Sequence, residues 1–305
     1  NAGTKINVNK FHQFGLSFHG IKTWNNADRN IQCETQNKDY SLQDDSGKDI
    51  LIFLDNYSLN GKANYIWKMN EKGSKLKAGY NYAFFEQYQD MENSFFLEEE
   101  RLSPELQNTT ANQKNINGHY NISYYYPVSD SFFIETGYQL KKNDVLNKFT
   151  SVSYDYSDEL WNDDISLWND FHFIQTLQAG FMQLNRDFKK IQVLAGIRVE
   201  QTQLKQNNDF LEQYFDIFPS FTFSWKAIQK HSLYFSANRR INRPKMKMLN
   251  PYSAEYADLL NMHKGNPDLK PEYVNSVEVG DRFIYGKLSG MISVYYRDID
   301  QAISR

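Results

Sequence analysis

The sequence predicts an all-β chain, a transmembrane antiparallel β-barrel wall of about eleven strands. Two observations carry this. The first is a two-residue beat: Tyr57, Leu59, Gly61, Ala63, Tyr65 and Trp67 alternate with Ser58, Asn60, Lys62 and Asn64. The beat returns at Ile116, Gly118, Tyr120, Ile122, Tyr124 and Tyr126. Successive side chains of a strand point to opposite faces, so each stretch has one apolar and one polar face. The second is the spacing of connections. Short turns alternate with long connections throughout, as in outer-membrane barrels.

The strands follow in order. Phe14, Leu16 and Phe18 mark the first, and the Tyr57–Trp67 stretch is the second. Leu76, Ala78, Tyr80, Tyr82 and Phe84 form the third, Ile116–Tyr126 the fourth, and Phe132, Ile134, Thr136, Tyr138 and Leu140 the fifth. Leu177, Ala179 and Phe181 give the apolar face of the sixth, and Ile191, Val193, Ala195, Ile197 and Val199 that of the seventh. Phe221, Phe223 and Trp225 are the eighth, and Leu233, Phe235 and Ala237 the ninth. Val277 and Val279 give a weak tenth, and Leu288, Gly290, Ile292, Val294 and Tyr296 the eleventh.

Hairpin turns are expected at Asn70–Gly73, Pro127–Asp130, Asn185–Lys189, Ala227–Lys230 and Tyr285–Lys287. Long connections are expected over roughly 23–48, 86–113, 142–169, 201–214 and 243–271. A soluble sandwich has no reason to gather its long loops at one end. With short turns on the periplasmic side, the first and eleventh strands both run outward. Trp67, Tyr126, Phe132 and Trp225 lie beside the short turns, and Tyr57 and Phe84 near the long connections, where aromatic girdles are expected.

Composition narrows the class. No run of about 18 apolar residues occurs, which excludes helical spans but not strands. Aromatic residues make up 16% of the chain, and Tyr and Trp suit a boundary that is apolar on one side and wet on the other. A net charge of −3 without a basic cluster gives no nucleic-acid partner. Cys33 is the only cysteine, expected in an exposed loop, so no internal disulfide forms. The strand pattern begins near Lys10 with no signal peptide before it, so a mature chain or a fragment is expected.

From Tyr214 onward the residues are more specific. Phe218-Pro219-Ser220-Phe221 precedes Arg239-Arg240-Ile241-Asn242-Arg243-Pro244, then Leu249-Asn250-Pro251-Tyr252 and Gly265-Asn266-Pro267-Asp268-Leu269-Lys270-Pro271-Glu272-Tyr273. Prolines four residues apart cannot donate to a ladder, so they mark where a long connection meets a strand. This run resembles the TonB-dependent outer-membrane receptors, in particular their Bacteroidetes-type β-barrel domain. The resemblance implies a barrel of about 22 strands, with this chain a middle portion holding about half the wall and no plug domain. It implies import of a scarce nutrient by energised transport. The partners implied are outer-membrane lipid and lipopolysaccharide, the inner-membrane TonB complex acting through a plug, and a surface lipoprotein. A structural barrel subunit of a larger outer-membrane complex is the alternative, and a passive porin a third reading.

Chemistry is sparse. The six His residues are scattered, with no metal-ligand spacing, phosphate loop or nucleophile elbow, so neither enzymatic activity nor a cofactor is expected. One connection gathers Tyr154, Tyr156, Asp158, Trp161, Asp163 and Asp164, which are the ligand-binding candidates: aromatic faces suit sugars or apolar groups, and acidic oxygens suit Ca²⁺. Glu98, Glu99, Glu100 and Arg101 form a charge run read as solvated. Arg239, Arg240 and Arg243 form a basic rim for lipopolysaccharide phosphates or loop carboxylates. Lys75, Lys77, Asn81, His119, Asn121, Glu135, Gln139, Gln178, Arg198 and Glu200 are expected to face the lumen.

Overall fold

Strand alternation becomes a single antiparallel sheet. The computed structural model describes residues 2–36, 42–97, 103–228, 230–250 and 265–303. Glu98–Arg101 and the Pro251-Tyr252 part of the proline-rich run lie outside the described residues. Among the described residues thirteen strands occur, where about eleven were expected. They are β1 (Ala2–Asn7), β2 (His12–Gln36), β3 (Leu42–Lys68), β4 (Lys75–Leu97), β5 (Glu105–Ser129), β6 (Phe132–Asp155), β7 (Leu160–Asp163), β8 (Asn169–Phe188), β9 (Ile191–Gln206), β10 (Asp209–Ile228), β11 (His231–Asn242), β12 (Glu272–Tyr285) and β13 (Leu288–Asp300). The two additions are short: β1 has 6 residues, and β7 has 4 and pairs with β6 alone. All other neighbours pair in chain order, and β1 and β13 form the two edges among the described residues.

The sheet has two faces of opposite character. Directly paired residues share a face. One face carries Leu59, Phe84 and Ile116 in one cross-strand row and Ala195, Phe221 and Ala237 in another. Its large apolar side chains are exposed: Leu16, Tyr120, Ile122, Ile197, Ile292 and Val294 among them. The opposite face carries Lys77 beside Ser123, Asn81 beside His119, and Asn121 beside Gln139. Apolar outside and polar inside is the pattern of a wall between lipid and lumen.

The expected loops are mostly strand. β2 and β3 stay paired from His12↔Trp67 to Gln36↔Leu42, and β4 and β5 from Lys75↔Tyr125 to Phe95↔Glu105. β3, at 27 residues, runs roughly 90 Å at about 3.3 Å per residue, far more than a hydrocarbon core requires. The connection placed at 201–214 is a tight hairpin turning on Asn207 and Asn208, both left-handed with φ of 49° and 69°. Here the covered lumen-face positions Glu200 and Thr202 are polar, as are Gln201, Gln203 and Lys205 on the other face, so Glu200-Gln-Thr-Gln-Leu-Lys-Gln206 shows no apolar alternation although its ladder continues. Cys33 likewise sits on β2 opposite Ser46, in a strand and not in a loop. The Asn70–Gly73 and Tyr285–Lys287 turns stand where expected, with Gly73 and Gly286 at φ of 95° and 62°, whereas the β8–β9 turn lies at Lys189–Lys190, Asn185–Phe188 being strand.

One strand is inverted relative to its predicted phase. Leu177, Ala179 and Phe181 of β8 pair with Thr202, Glu200 and Arg198, which places them on the lumen face. Gln178 pairs with Leu140 and Gln201 on the lipid side, and Tyr138 O–H donates to its Oε1 at 2.8 Å. Gln178 is therefore not a lumen residue. The cause is that β8 carries apolar residues on both faces: Met182 and Leu184 point outward, while Phe171 and Phe173 on the lumen side pack under the segment after β11.

Candidate functional site

The extracellular part of the lumen face is partly filled. α1 (Met246–Leu249), in the segment after β11, brings Leu249 onto Phe171, Phe173 and Leu204, with Tyr214, Met246 and Leu269 packed around them. Lys245, in extended backbone, starts the helix, and the Gly265 and Asn266 N–H groups close its end on the carbonyls of Asn250 and Met248. A Cβ on Gly265 would stand 2.5 Å from the Asn250 carbonyl oxygen, so only glycine fits this close approach. A second cover comes from a 3-10 turn (Ile165–Leu167): Leu167 packs on the fully buried Phe149, and the Trp168 indole N–H donates to Ser151 O at 3.1 Å.

An ionic network lies beneath α1. Arg243 Nη2 is 2.5 Å from Glu200 Oε2 and 3.1 Å from Thr202 Oγ1, and its Nε donates to Tyr214 O–H at 3.1 Å. Arg198 Nε donates to Glu200 Oε1 at 2.5 Å, and Arg198 Nη1 to Gln139 Oε1 at 3.1 Å. The Glu200 side chain is 7% exposed and that of Arg243 18%. Glu200 is the first residue beyond the lipid-facing run Ile191–Val199. Burial by itself would raise its carboxyl; hydrogen bonds from Arg243 and Arg198 outweigh that and hold it below the ordinary carboxylate range. Burial raises the Tyr214 hydroxyl, against the pull of Arg243.

The basic rim is thus divided. Arg243 turns inward to a strand carboxylate. Arg239 stacks 4.9 Å from the Tyr273 ring on the lipid-side face, and Arg240 pairs with Val274 on the other face, exposed. β10 and β11 pair no further than Ser220↔Asn238; beyond it the Tyr273 hydroxyl donates to Asp216 Oδ1 at 2.8 Å.

The aromatic connection assembles only in part. Tyr154 lies 5.0 Å from Tyr156 and 5.4 Å from Trp161, centroid to centroid, on the β6–β7 hairpin. Val152 and Tyr154 share the face away from the lumen, since the intervening Ser153 pairs with Gln107 of the lumen row. Of the acids, only Asp163, opposite Val152, shares that face. Asp164 starts the 3-10 turn and accepts from Ser166 Oγ at 2.5 Å, and Asp158 is exposed in the hairpin turn. Among the described residues no three His, Cys, Asp or Glu groups converge where a metal ion could be held.

What the sequence did not single out is a cleft of about 430 Å³ on the lumen face of β2–β6. Ile50, Ile52, Leu54 and Met91 make its aliphatic wall; Gln87, Gln89, Asn93, Gln113 and Asn147 bring carboxamides, and Arg29 a cation. Gln87, Gln89, Met91 and Asn93 fall at two-residue spacing, a beat that could have shown one strand face inside the expected 86–113 loop.

An antiparallel wall with lipid-facing apolar residues, a polar lumen face and short turns at one end defines an outer-membrane barrel protein. The chain belongs to the outer membrane protein beta-barrel family, whose model matches residues 67–305. It is a protein of the bacterial outer membrane. No curated protein matches it closely enough to count. Among solved structures it is similar to the copper transporter OprC, at 12% identity and TM-score 0.49, over 95% of this chain and 50% of that one. It is also similar to BauA, the ferric preacinetobactin receptor from Acinetobacter baumannii, at 10% identity and TM-score 0.49, over 96% and 50%. The FrpB iron transporter from Neisseria meningitidis follows at 8% identity and TM-score 0.46, over 95% and 52%. The chain spans about half the length of these structures. Similarity at this level says nothing of cargo.

Proposed function

We propose that this chain is part of the barrel wall of a TonB-dependent receptor of Bacteroidetes type, which imports a scarce nutrient by energised transport. The observation that carries the reading is the filled lumen face. Phe171, Phe173 and Leu204 under Leu249, with the shielded Glu200–Arg243 pair beside them, are unlike the wet, charged wall of a passive porin. The Gly265–Tyr273 run supports it through the resemblance stated above. The test is uptake by cells carrying the full-length protein: accumulation of nutrient that stops when a protonophore collapses the proton gradient supports energised import. Accumulation unchanged by the protonophore refutes it.

A second reading has its own observation. The half-buried Tyr154 with the exposed Tyr156 and Trp161 forms an aromatic cluster on the β6–β7 hairpin, with Tyr154 and Trp161 on the face away from the lumen. Such a patch suits a partner protein, which favours a structural subunit of a larger outer-membrane complex.

A further inference from the structure

The β2–β6 cleft has three chemistries in one place, and their combination is selective. The carboxamides of Gln87, Gln89, Gln113 and Asn147 each carry donors and an acceptor, the complement of a peptide group. Beside them Ile50, Ile52 and Leu54 give an aliphatic wall for a branched side chain. Among the described lining residues Arg29 is the one cation and no aromatic ring is present. Sugar rings dock on aromatic faces, so this lining suits a peptide better than a glycan.

Asn93 shows that the cleft is unfinished as it stands. It is 2% exposed, and its Nδ2 donates to the Gln107 carbonyl at 3.4 Å, while its Oδ1 has no partner. Buried acceptors without donors are costly, and a ligand bringing N–H groups removes that cost. A bound peptide's amides are such donors.

We propose that this cleft binds the carboxyl end of a short peptide with an aliphatic last residue. Its peptide groups hydrogen-bond the carboxamides, its last side chain rests on Ile50, Ile52 and Leu54, and its terminal carboxylate pairs with Arg29. This rests on the importer reading and names the class of its cargo. Arg29 is exposed, so its replacement leaves the sheet intact.

The experiment uses the full-length protein, extracted from outer membranes in detergent. It is offered an equimolar pool of tetrapeptides ending in leucine, the same pool as C-terminal amides, and maltohexaose. Retained peptides are read by mass spectrometry. The free-acid pool is retained about tenfold better than the amides, as expected for one charge-assisted pair, and maltohexaose is not bound. Arg29→Gln brings the acids down to the amides and leaves the amides unchanged; Ile52→Asp reduces both. Heat-modifiable migration on gels confirms that both variants are folded barrels. Retention of neither pool, binding of maltohexaose in their place, or equal loss of acids and amides in Arg29→Gln overturns the proposal. Uptake of the retained peptides with and without a protonophore is read separately. Retention without energised uptake removes the importer and keeps the cleft; energised uptake of a non-peptide does the reverse.

Discussion

The lumen face has two regions that differ in what lies over them. Over β8–β11 the chain folds back on itself, and every charged group of the Arg198–Glu200–Arg243 network has a partner. Over β2–β6 a cleft lies between Arg29, Ile52, Gln89 and Gln113, and the buried Asn93 Oδ1 that lines it has no partner. Both regions lie at the extracellular end of the same sheet, so height in the barrel does not explain the contrast. The covering segments do: α1 lies over Phe171, Phe173 and Leu204, whereas over β2–β6 the 3-10 turn reaches Phe149 and leaves the cleft beside it open. The packed region is expected to carry stability, and the cleft is where the peptide proposed above would sit.

The largest effect should come from the packed region. Phe171→Ala removes a ring that is 1% exposed from the cluster under Leu249. A loss of about 3–5 kcal/mol is expected from the transfer and cavity costs together. Urea unfolding of the protein in lipid vesicles measures it, and a loss below about 1 kcal/mol would mean the α1 segment is not held by this cluster. Arg243→Ala comes next. It leaves Glu200 buried with Arg198 alone, at a cost of about 3 kcal/mol. A double-mutant cycle with Glu200→Gln should show strong coupling between the two sites; additive losses would break the claim that the pair ties the covering segment to β9.

The same carboxylate predicts a pH dependence. Glu200 is depressed in the folded protein relative to its ordinary value of 4.5. The unfolded chain therefore binds the proton first, and stability rises with pH over that range. Its contribution is complete above about pH 4.5 and is lost as pH falls through the lower folded value. Glu200→Gln should flatten the unfolding profile between those limits. An unchanged profile would place the acid sensitivity elsewhere.

How far these regions could be foreseen depends on solvent contrast. Tyr57–Trp67 and Ile191–Val199 were legible because lipid lies on one side and lumen on the other, which writes the two-residue beat into the sequence. Residues 86–113 and 201–214 read as loops because polar residues stand on both faces there, although the ladders continue to Phe95 and Gln206. β8 failed in the opposite way. With Met182 and Leu184 outward and Leu177 and Phe181 inward, apolar residues on both faces left its phase undetermined, and Gln178 was put on the wrong side. At the site, Arg243 was legible as a cation near a proline, but Glu200, 43 positions away, is a partner only pairing across β9–β11 could reveal. The cleft stayed hidden because it lies on strands whose alternation pits carboxamides against other polar groups.

The smallest expected change in stability belongs to the outward aromatic cluster, and it separates the two functional readings. Trp161 is exposed on a 4-residue strand paired with β6 alone, so Trp161→Ala should shift stability by no more than about 0.5 kcal/mol. If the barrel serves as a platform, the same substitution should release a surface protein that co-purifies with the wild type, because a central Trp commonly carries an interface. If it serves only as an importer, co-purification and uptake should both be unaffected, since the cluster faces away from the lumen. A loss of uptake with co-purification intact would contradict both, and would move the ligand from the β2–β6 cleft to the hairpin of β6 and β7.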